Sequence, residues 1–398
     1  MPPLKIICTA DLHLGQSGPL QQAPIEIQEE RINDGFRSLD LMTSHAIKEN
    51  ADFFIICGDV FHTPRPTAQV FNRFARTVGR LSERGVQTVV VAGNHDLPRM
   101  VGGEPYLSAL REVRAPGFWF FDKPDDVVLE GKHSGQKVRF VVIPYLHLAS
   151  PEEDKRKEEI EKTLDDLLSK KSRKEKHLTV VLGHLVSEGS SLGILKELVM
   201  HAEPVIRRSV LLKNGVDLAV LGHLHGYQVI GEKIIYPGSP ERISFSEEKE
   251  KKGFVELYEE EGELHHRFLP TDARPLMTYP EDDYIILSEF LTPTDELIKA
   301  LENVQIPKGA IVRLRYRSGQ RQTIEWVRVL DYLREKGAFY AVPQPQKERL
   351  ETYPTTQPSL NLKELLKEFI QRLAIPNEVA RRAIEEGIKI IDEVSEGL

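Results

Sequence analysis

Short runs of apolar residues recur along the first 270 positions, at Lys5–Thr9, Phe53–Cys57, Thr88–Val91, Arg139–Ile143, Leu178–Leu182 and Leu218–Leu221. They are continuous rather than alternating and too short for helices, which predicts strands buried on both faces. Between the first two, Ile32, Phe36, Leu39 and Ile47 share one helix face. After the second, Val70, Phe74, Val78 and Leu81 do the same. This alternation predicts an α/β fold. The charge-dense stretch 152–177 keeps Ile160, Leu164, Leu167 and Leu168 at helical intervals, as a surface helix would. Past His225 the pattern changes to hairpin strands, Phe254–Tyr258 and Leu264–Leu269, around a turn at Glu260–Gly262.

The pattern breaks at Thr271–Pro280. Residues 281–345 then read β-α-β-α-β: Tyr284–Phe290, Thr294–Glu302, Ile311–Tyr316, Thr323–Lys336 and Phe339–Val342. This predicts a small α+β domain. Pro343, Pro345, Pro354 and Pro358 mark an extended linker, placed at 346–359. The tail, 360–398, carries two apolar stripes. Leu362, Leu365, Leu366, Phe369, Ile370 and Leu373 form the first; Ala380, Ala383, Ile384, Gly387, Ile388 and Ile391 form the second. A helical hairpin of this size has little core of its own, so its apolar face must fold back on the chain or lie on a partner.

Composition narrows the class. At 40% hydrophobic and 29% charged residues the 398-residue chain is expected to be globular, not disordered. No apolar run approaches the about 20 residues that cross a bilayer. The opening MPPLKIICTADLH enters a strand at once, leaving no space for a signal peptide. Cys8 and Cys57 sit in apolar runs and read as buried packing residues. That usage suits a reducing cytoplasm. The net charge of −8 argues against passive coating of nucleic acid, which needs clustered cations. Local basic patches remain. Arg313, Arg315 and Arg317 alternate with Val312, Leu314 and Tyr316, which puts the arginines on one face of a strand. They are candidate phosphate contacts, although a solvated sheet face is the plainer reading. Arg65 is a further candidate, beside Arg73, Arg76, Arg80 and Arg84 on the helix that follows it.

Five motifs fall just after predicted strands: Asp11-Leu12-His13, Gly58-Asp59, Gly93-Asn94-His95-Asp96, Gly183-His184 and Gly222-His223-Leu224-His225. Ligand sites of open α/β sheets form outside the carboxyl ends of strands, so all five should meet at one edge. A single histidine at a strand end is more often structural than a ligand; five motifs in this order are not chance. Three carboxylate or amide oxygens and four imidazoles, with no thiolate, suit Mn²⁺, Fe²⁺ or Zn²⁺ and are too nitrogen-rich for Mg²⁺. Seven donors exceed what one ion open to substrate can use. With Asp59 shared they divide into two sets of four, around ions about 3.5–4 Å apart.

The motif set resembles the calcineurin-like metallophosphoesterase superfamily over residues 4–270. The resemblance implies a four-layer α-β-β-α sandwich, here 1–270, with 281–345 as a capping, DNA-binding domain. It implies one ion on Asp11, His13, Asp59 and His225, and another on Asp59, Asn94, His184 and His223. Within the superfamily the chain is similar to the SbcD-type nuclease subunits of DNA double-strand-break repair. Gly58-Asp59-Val60-Phe61-His62 followed by Pro64-Arg65-Pro66, and Tyr236-Pro237-Gly238-Ser239-Pro240-Glu241-Arg242, carry that likeness. Leu12 departs from it, since those nucleases usually have Trp there. The narrower resemblance implies a Mn²⁺-dependent nuclease, exonucleolytic (3′-5′) on duplex ends and endonucleolytic on single-stranded or hairpin DNA. It also implies a homodimer, near the nucleoid, working with an SbcC-type ABC-class coiled-coil ATPase. The hairpin 360–398 would grip that ATPase through Leu362, Leu365, Leu366, Phe369, Ile370, Leu373, Ile384, Ile388 and Ile391. His95 would stabilise the transition state or protonate the leaving oxygen. His62 matches another active-site histidine, and Asp96 either orients His95 or caps its loop. The competing readings are a metallophosphatase or small-molecule phosphodiesterase using the same site, and a non-catalytic scaffold.

Overall fold

The computed structural model describes residues 2–98, 103–146, 153–169, 177–191, 203–213, 215–287, 292–317, 323–346, 363–364, 366–367, 370 and 377–396. The chain divides into two compact units, Met1–Pro345 and Gln346–Leu398.

In the first unit every long apolar run is a strand. One six-stranded sheet holds β1 (Lys5–Thr9), β2 (Phe53–Cys57), β3 (Gln87–Val91) and β4 (Phe118–Phe121) in parallel. The other holds β5 (Asp125–Glu130), β6 (Lys137–Ile143), β7 (Leu178–His184), β8 (Leu218–Gly222), β9 (Gln228–Ile230) and β10 (Ile234–Tyr236) in the order β9-β10-β8-β7-β6-β5. The hairpin β11 (Gly253–Glu260) and β12 (Glu263–Pro270) closes the first sheet, β11 lying antiparallel to β1. The central strands are buried on both faces, which is why they read as unbroken apolar runs. Ile6, Cys8, Phe53, Ile55 and Val89 face Phe140, Val142, Val180, Leu182 and Val220 across the sandwich. Helices α1 (Ile25–Lys48) and α2 (Ala68–Glu83) cover the outer face of the first sheet through Phe36, Leu39, Phe74 and Leu81. Helix α3 (Glu153–Ser169) covers the second through Ile160, Leu164, Leu167 and Leu168. The result is the four-layer α-β-β-α sandwich. Leu12 is buried in the core beneath α1.

The break expected at 271–280 is not a break. Leu276–Tyr279 is a strand, β13, pairing in parallel with the strand Ile311–Arg317. Its four residues lie between Pro275 and Pro280, and that punctuation reads as loop in sequence. The small domain therefore starts earlier than 281. It continues with β14 (Ile285–Ile286), helix α4 (Pro293–Leu301), the central β15 (Ile311–Arg317), helix α5 (Trp326–Glu335) and β16 (Tyr340–Pro345). Pro343 and Pro345 belong to β16, not to the linker; they are tolerated because β16 lies at the edge, paired on one side by β15. Helices α4 and α5 bury Leu297, Leu301, Val329 and Leu333 against Val312, Leu314 and Tyr316.

In the second unit, positions 363, 364, 366, 367 and 370 are helical, and α6 spans Asn377–Glu396. A Cβ on Gly387 would come within 2.5 Å of Leu366 Cδ2, so the two helical stretches meet closely at that glycine. Ile370 is buried and Ile384, Ile388 and Ile391 are half-buried. Leu362, Leu365, Phe369 and Leu373 lie outside the described residues, as does the linker 347–359.

Candidate metal centre

Five loops meet at the carboxyl ends of β1, β2, β3, β7 and β8. The loops after β1 and β2 are laced together: Asp11 N donates to Gly58 O (3.0 Å), His13 N to Asp59 O (2.9 Å) and Leu14 N to Val60 O (2.9 Å). Asp11, His13, Asp59 and His223 all adopt positive φ (52°, 42°, 53° and 93°). That conformation is uncommon for residues with a Cβ and persists only where surrounding bonds enforce it. Glycine is required where the chain passes the site walls. A Cβ on Gly58 would lie 1.9 Å from His184 Nδ1, and one on Gly93 2.1 Å from Asp59 Oδ1.

Two groups of acceptor atoms result. His184 Nδ1 donates to Cys57 O (2.9 Å), which leaves Nε2 with its lone pair. That nitrogen faces Asn94 Oδ1 at 3.1 Å, His223 Nδ1 at 3.3 Å and Asp59 Oδ2 at 3.6 Å. His223 Nε2 lies 2.6 Å from Glu203 Oε2, a charge contact that favours the proton on that nitrogen and leaves Nδ1 facing His184 Nε2 as a lone pair. In the second group, His225 Nδ1 donates to Glu247 Oε1 (2.9 Å), and Nε2 looks across 3.3 Å at His13 Nε2. Asp11, His13 and His225 each bring one ligand atom within 4.8 Å of the others. Asp59 Oδ2 is 3.5 Å from His13 Nε2 and so borders both groups.

Acceptors this close repel unless something positive lies among them, and buried polar atoms are rarely left so. Burial raises the Asp11 carboxyl despite the imidazoles around it. Burial and then His225, His95 and His62 push His13 well down, keeping it a neutral ligand-type imidazole. Burial opposes the charge of His223 and His225 too, yet Glu203 and Glu247 lift both above the usual histidine value, so a cation bound there would displace the proton these rings otherwise take up. A divalent cation in each group satisfies this donor set, and the residues present fit it.

His95 stands at the rim. Its backbone N–H donates to Asp59 Oδ1 (2.8 Å) and its ring Nδ1 to His62 O (2.7 Å), which directs Nε2 away from those partners. Its ring lies 4.8 Å from that of His13 and stacks on His62 at 5.4 Å. Asp96 does not orient it. The buried Asp96 carboxylate accepts from Gly93 N (3.0 Å), Phe61 N (3.2 Å) and Val60 N (3.3 Å), tying the loop after β3 to the Asp59 loop. It is a structural cap, and it leaves the reacting side of the site. Asp96→Ala strands three buried N–H groups, so a loss of on the order of 3 kcal/mol is expected in urea denaturation.

Arg313, Arg315 and Arg317 do share one sheet face, but it is not a solvated one throughout. Arg313 donates to Thr278 Oγ1 (2.7 Å) and lies 4.4 Å over the Phe245 ring. Arg315 donates to Gln344 Oε1 (3.2 Å) and to Glu281 O. Ile311, on the same face, is buried with Leu20 and Phe245 of the large domain. Half this row thus docks the small domain. Arg317 and Arg65 are exposed. Arg73 and Arg80 bind Asn33 and Asp40 of α1, both at 2.6 Å.

Sequence reading missed Glu203, Glu247 and Tyr145. Glu247 sits in a charged run that reads as surface, yet it is buried; burial opposes its ionisation, but His225 and Lys252 bring it down to about 2. The Tyr145 ring lies 6.3 Å from those of both His184 and His223.

A family model described as calcineurin-like phosphoesterase matches residues 4–227. The chain is 25% identical over 299 residues to the D subunit of the nuclease SbcCD from Staphylococcus epidermidis, covering 71% of this chain and 73% of that protein. Among solved structures it is similar to a dimetal phosphatase from Danio rerio, at 13% identity and a TM-score of 0.41, over 68% of this chain and 97% of the other. It is also similar to GAP50, the anchor in the inner membrane complex of Plasmodium, at 12% identity and a TM-score of 0.39, over 68% and 86%. Among the described residues no helix is long and apolar enough to cross a membrane.

Proposed function

The chain belongs to the calcineurin-like phosphoesterase family, and from that premise we propose that this metallophosphoesterase is a DNA nuclease of the SbcD type. The likeness over 71% of the chain to a protein named as part of a nuclease carries the DNA reading. The two acceptor groups sharing Asp59 carry the hydrolytic one. In this reading Asp11, His13, Asp59 and His225 hold one divalent cation, and Asp59, Asn94, His184 and His223 hold the other. Two such cations supply charge to neutralise a phosphate and make water acidic enough to act as nucleophile near neutrality. The mixed oxygen and imidazole donors suit Mn²⁺, Fe²⁺ or Zn²⁺, and the SbcD likeness selects Mn²⁺ within that set.

The protein's own groups do the rest. Asp59 fixes both donor sets and, through Oδ1, the backbone of His95. His95 Nε2 is the group aimed to bind or protonate the leaving oxygen. The segment 245–250 joins site and small domain: Glu247 holds His225, while Phe245 underlies Arg313 and Glu248 accepts from Thr278 Oγ1 (2.6 Å). The small domain is thus tied to the loop that carries Glu247. Arg317 and Arg65 are the arginines proposed to meet DNA phosphates. The tail 360–398 is proposed to dock an SbcC-type ATPase, and the active form to be a homodimer.

The test is turnover on end-labelled duplex and hairpin DNA with Mn²⁺, with and without such an ATPase, against bis-p-nitrophenyl phosphate, cyclic nucleotides and a phosphoprotein. Cleavage of DNA in preference to the small and protein substrates is expected. Robust phosphoprotein hydrolysis with inert DNA would make the chain a phosphatase.

A further inference from the structure

The His-x-His segment places two imidazoles one residue apart, and the structure treats them in opposite ways. His223 turns Nδ1 into the centre and Nε2 outward; His225 turns Nε2 inward and Nδ1 outward. Each outward nitrogen meets a carboxylate from a different part of the chain: Glu203 Oε2 at 2.6 Å from His223 Nε2, and Glu247 Oε1 at 2.9 Å from His225 Nδ1.

We propose that Glu203 and Glu247 are positioning residues, each fixing the tautomer and ring orientation of one histidine and thereby setting the hold on one cation only. This rests on the two-cation reading above. A neutral imidazole has one N–H and one lone pair, and a carboxylate beside one nitrogen favours the N–H there, by a hydrogen bond at His225 and by its charge at His223, so the lone pair points the other way. Each carboxylate acts through its histidine, and the two histidines fall in different groups.

The two supports differ in build. Glu247 is locked. Its other oxygen lies 2.6 Å from the fully buried Lys252 Nζ and accepts from Ile243 N (3.1 Å). Lys252 is itself held by Ser239 Oγ (2.8 Å), His225 O (3.1 Å) and Glu250 Oε2 (2.7 Å). The Ser239 contact gives the Pro-Gly-Ser-Pro segment a purpose: it anchors the cation that anchors Glu247. Glu203 is more open, with its side chain 22% exposed. Its loss disturbs less of the core, and it is the cleaner probe.

The experiment is equilibrium Mn²⁺ binding to the full chain, read from the EPR signal of free Mn²⁺ and from the shift in Tm that Mn²⁺ produces. The wild type is expected to take up two ions. Glu203→Ala should weaken one of them by about 10- to 100-fold and leave the other unchanged. Glu203→Gln keeps the shape and an oxygen beside Nε2 without the charge, and should recover only part of that loss. Glu247→Ala alone would leave the buried Lys252 cation short of a counter-charge, so the second arm replaces the pair together, as Glu247→Leu with Lys252→Met. It should loosen the other ion. Equal weakening of both ions in each variant, or of neither, overturns the proposal while the two-cation reading stands. A wild type that binds fewer than two ions ends both.

Discussion

Replacing Asp59 with Asn is expected to lower DNA phosphodiester hydrolysis by roughly 10³- to 10⁵-fold and to weaken both cations together. The reason is where its two oxygens point. Oδ1 accepts from His95 N at 2.8 Å, and Oδ2 lies 3.5 Å from His13 Nε2 and 3.6 Å from His184 Nε2. An asparagine keeps the first contact by leaving its oxygen at Oδ1. Its NH₂ then faces the lone pairs of both histidines, where a negative oxygen is needed. A hydrogen-bond donor can satisfy one imidazole but cannot share a cation between two groups. The backbone lacing of the Asp59 loop runs through main-chain atoms and through Asp96, so the fold should survive. Single-turnover cleavage of end-labelled duplex, paired with Mn²⁺ stoichiometry and a melt without added metal, checks this. Turnover within about tenfold of wild type, or clean loss of a single ion, would show that Asp59 is not shared.

The contrast with Glu203 explains what can and cannot be seen in the sequence. Residues that point into the centre follow strands directly, and a strand end is visible as the close of an apolar run. Asp11, Asp59, Asn94, His184 and His223 are legible for that reason. Residues that support them come from segments without periodicity. Glu247 lies in Ser-Glu-Glu-Lys-Glu, and nothing in that run separates the one buried carboxylate from its half-buried neighbours Glu248 and Glu250. Asp96 is ambiguous in sequence because its neighbours, Asn94 and His95, are site residues. Its hydrogen-bond partners are Gly93 and, 35 and 36 positions back, Phe61 and Val60. The same limit acts on the fold. Helices α1 and α2 declare themselves by one apolar face, and β1 to β3 by unbroken runs. The strand Leu276–Tyr279 is made by its pairing with β15, a partner 35 residues away, and local sequence carries only the prolines that flank it. The arginine row on β15 shows a further gap. Alternation assigns Arg313, Arg315 and Arg317 to one face, but whether that face meets water or another domain is decided by tertiary packing.

His95→Gln is expected to retain both cations and to lose about 10²- to 10⁴-fold in turnover. The side chain is held by His62 O through Nδ1, and a glutamine amide N–H can reproduce that bond, so local geometry has a substitute. A glutamine has no proton to give at neutral pH and no charge to place against a leaving oxygen. The backbone N–H of residue 95, which holds Asp59 Oδ1, is untouched by the change. Binding and chemistry should therefore separate: Mn²⁺ affinity and KM near wild type, kcat low. The leaving group distinguishes proton donation from simple charge stabilisation. A p-nitrophenolate departs without a proton, so if His95 acts as an acid the variant should lose far less on bis-p-nitrophenyl phosphate than on DNA, whose alkoxide leaving group needs one. An equal loss on both substrates would assign His95 to electrostatic stabilisation, and loss of a cation would place it among the ligands.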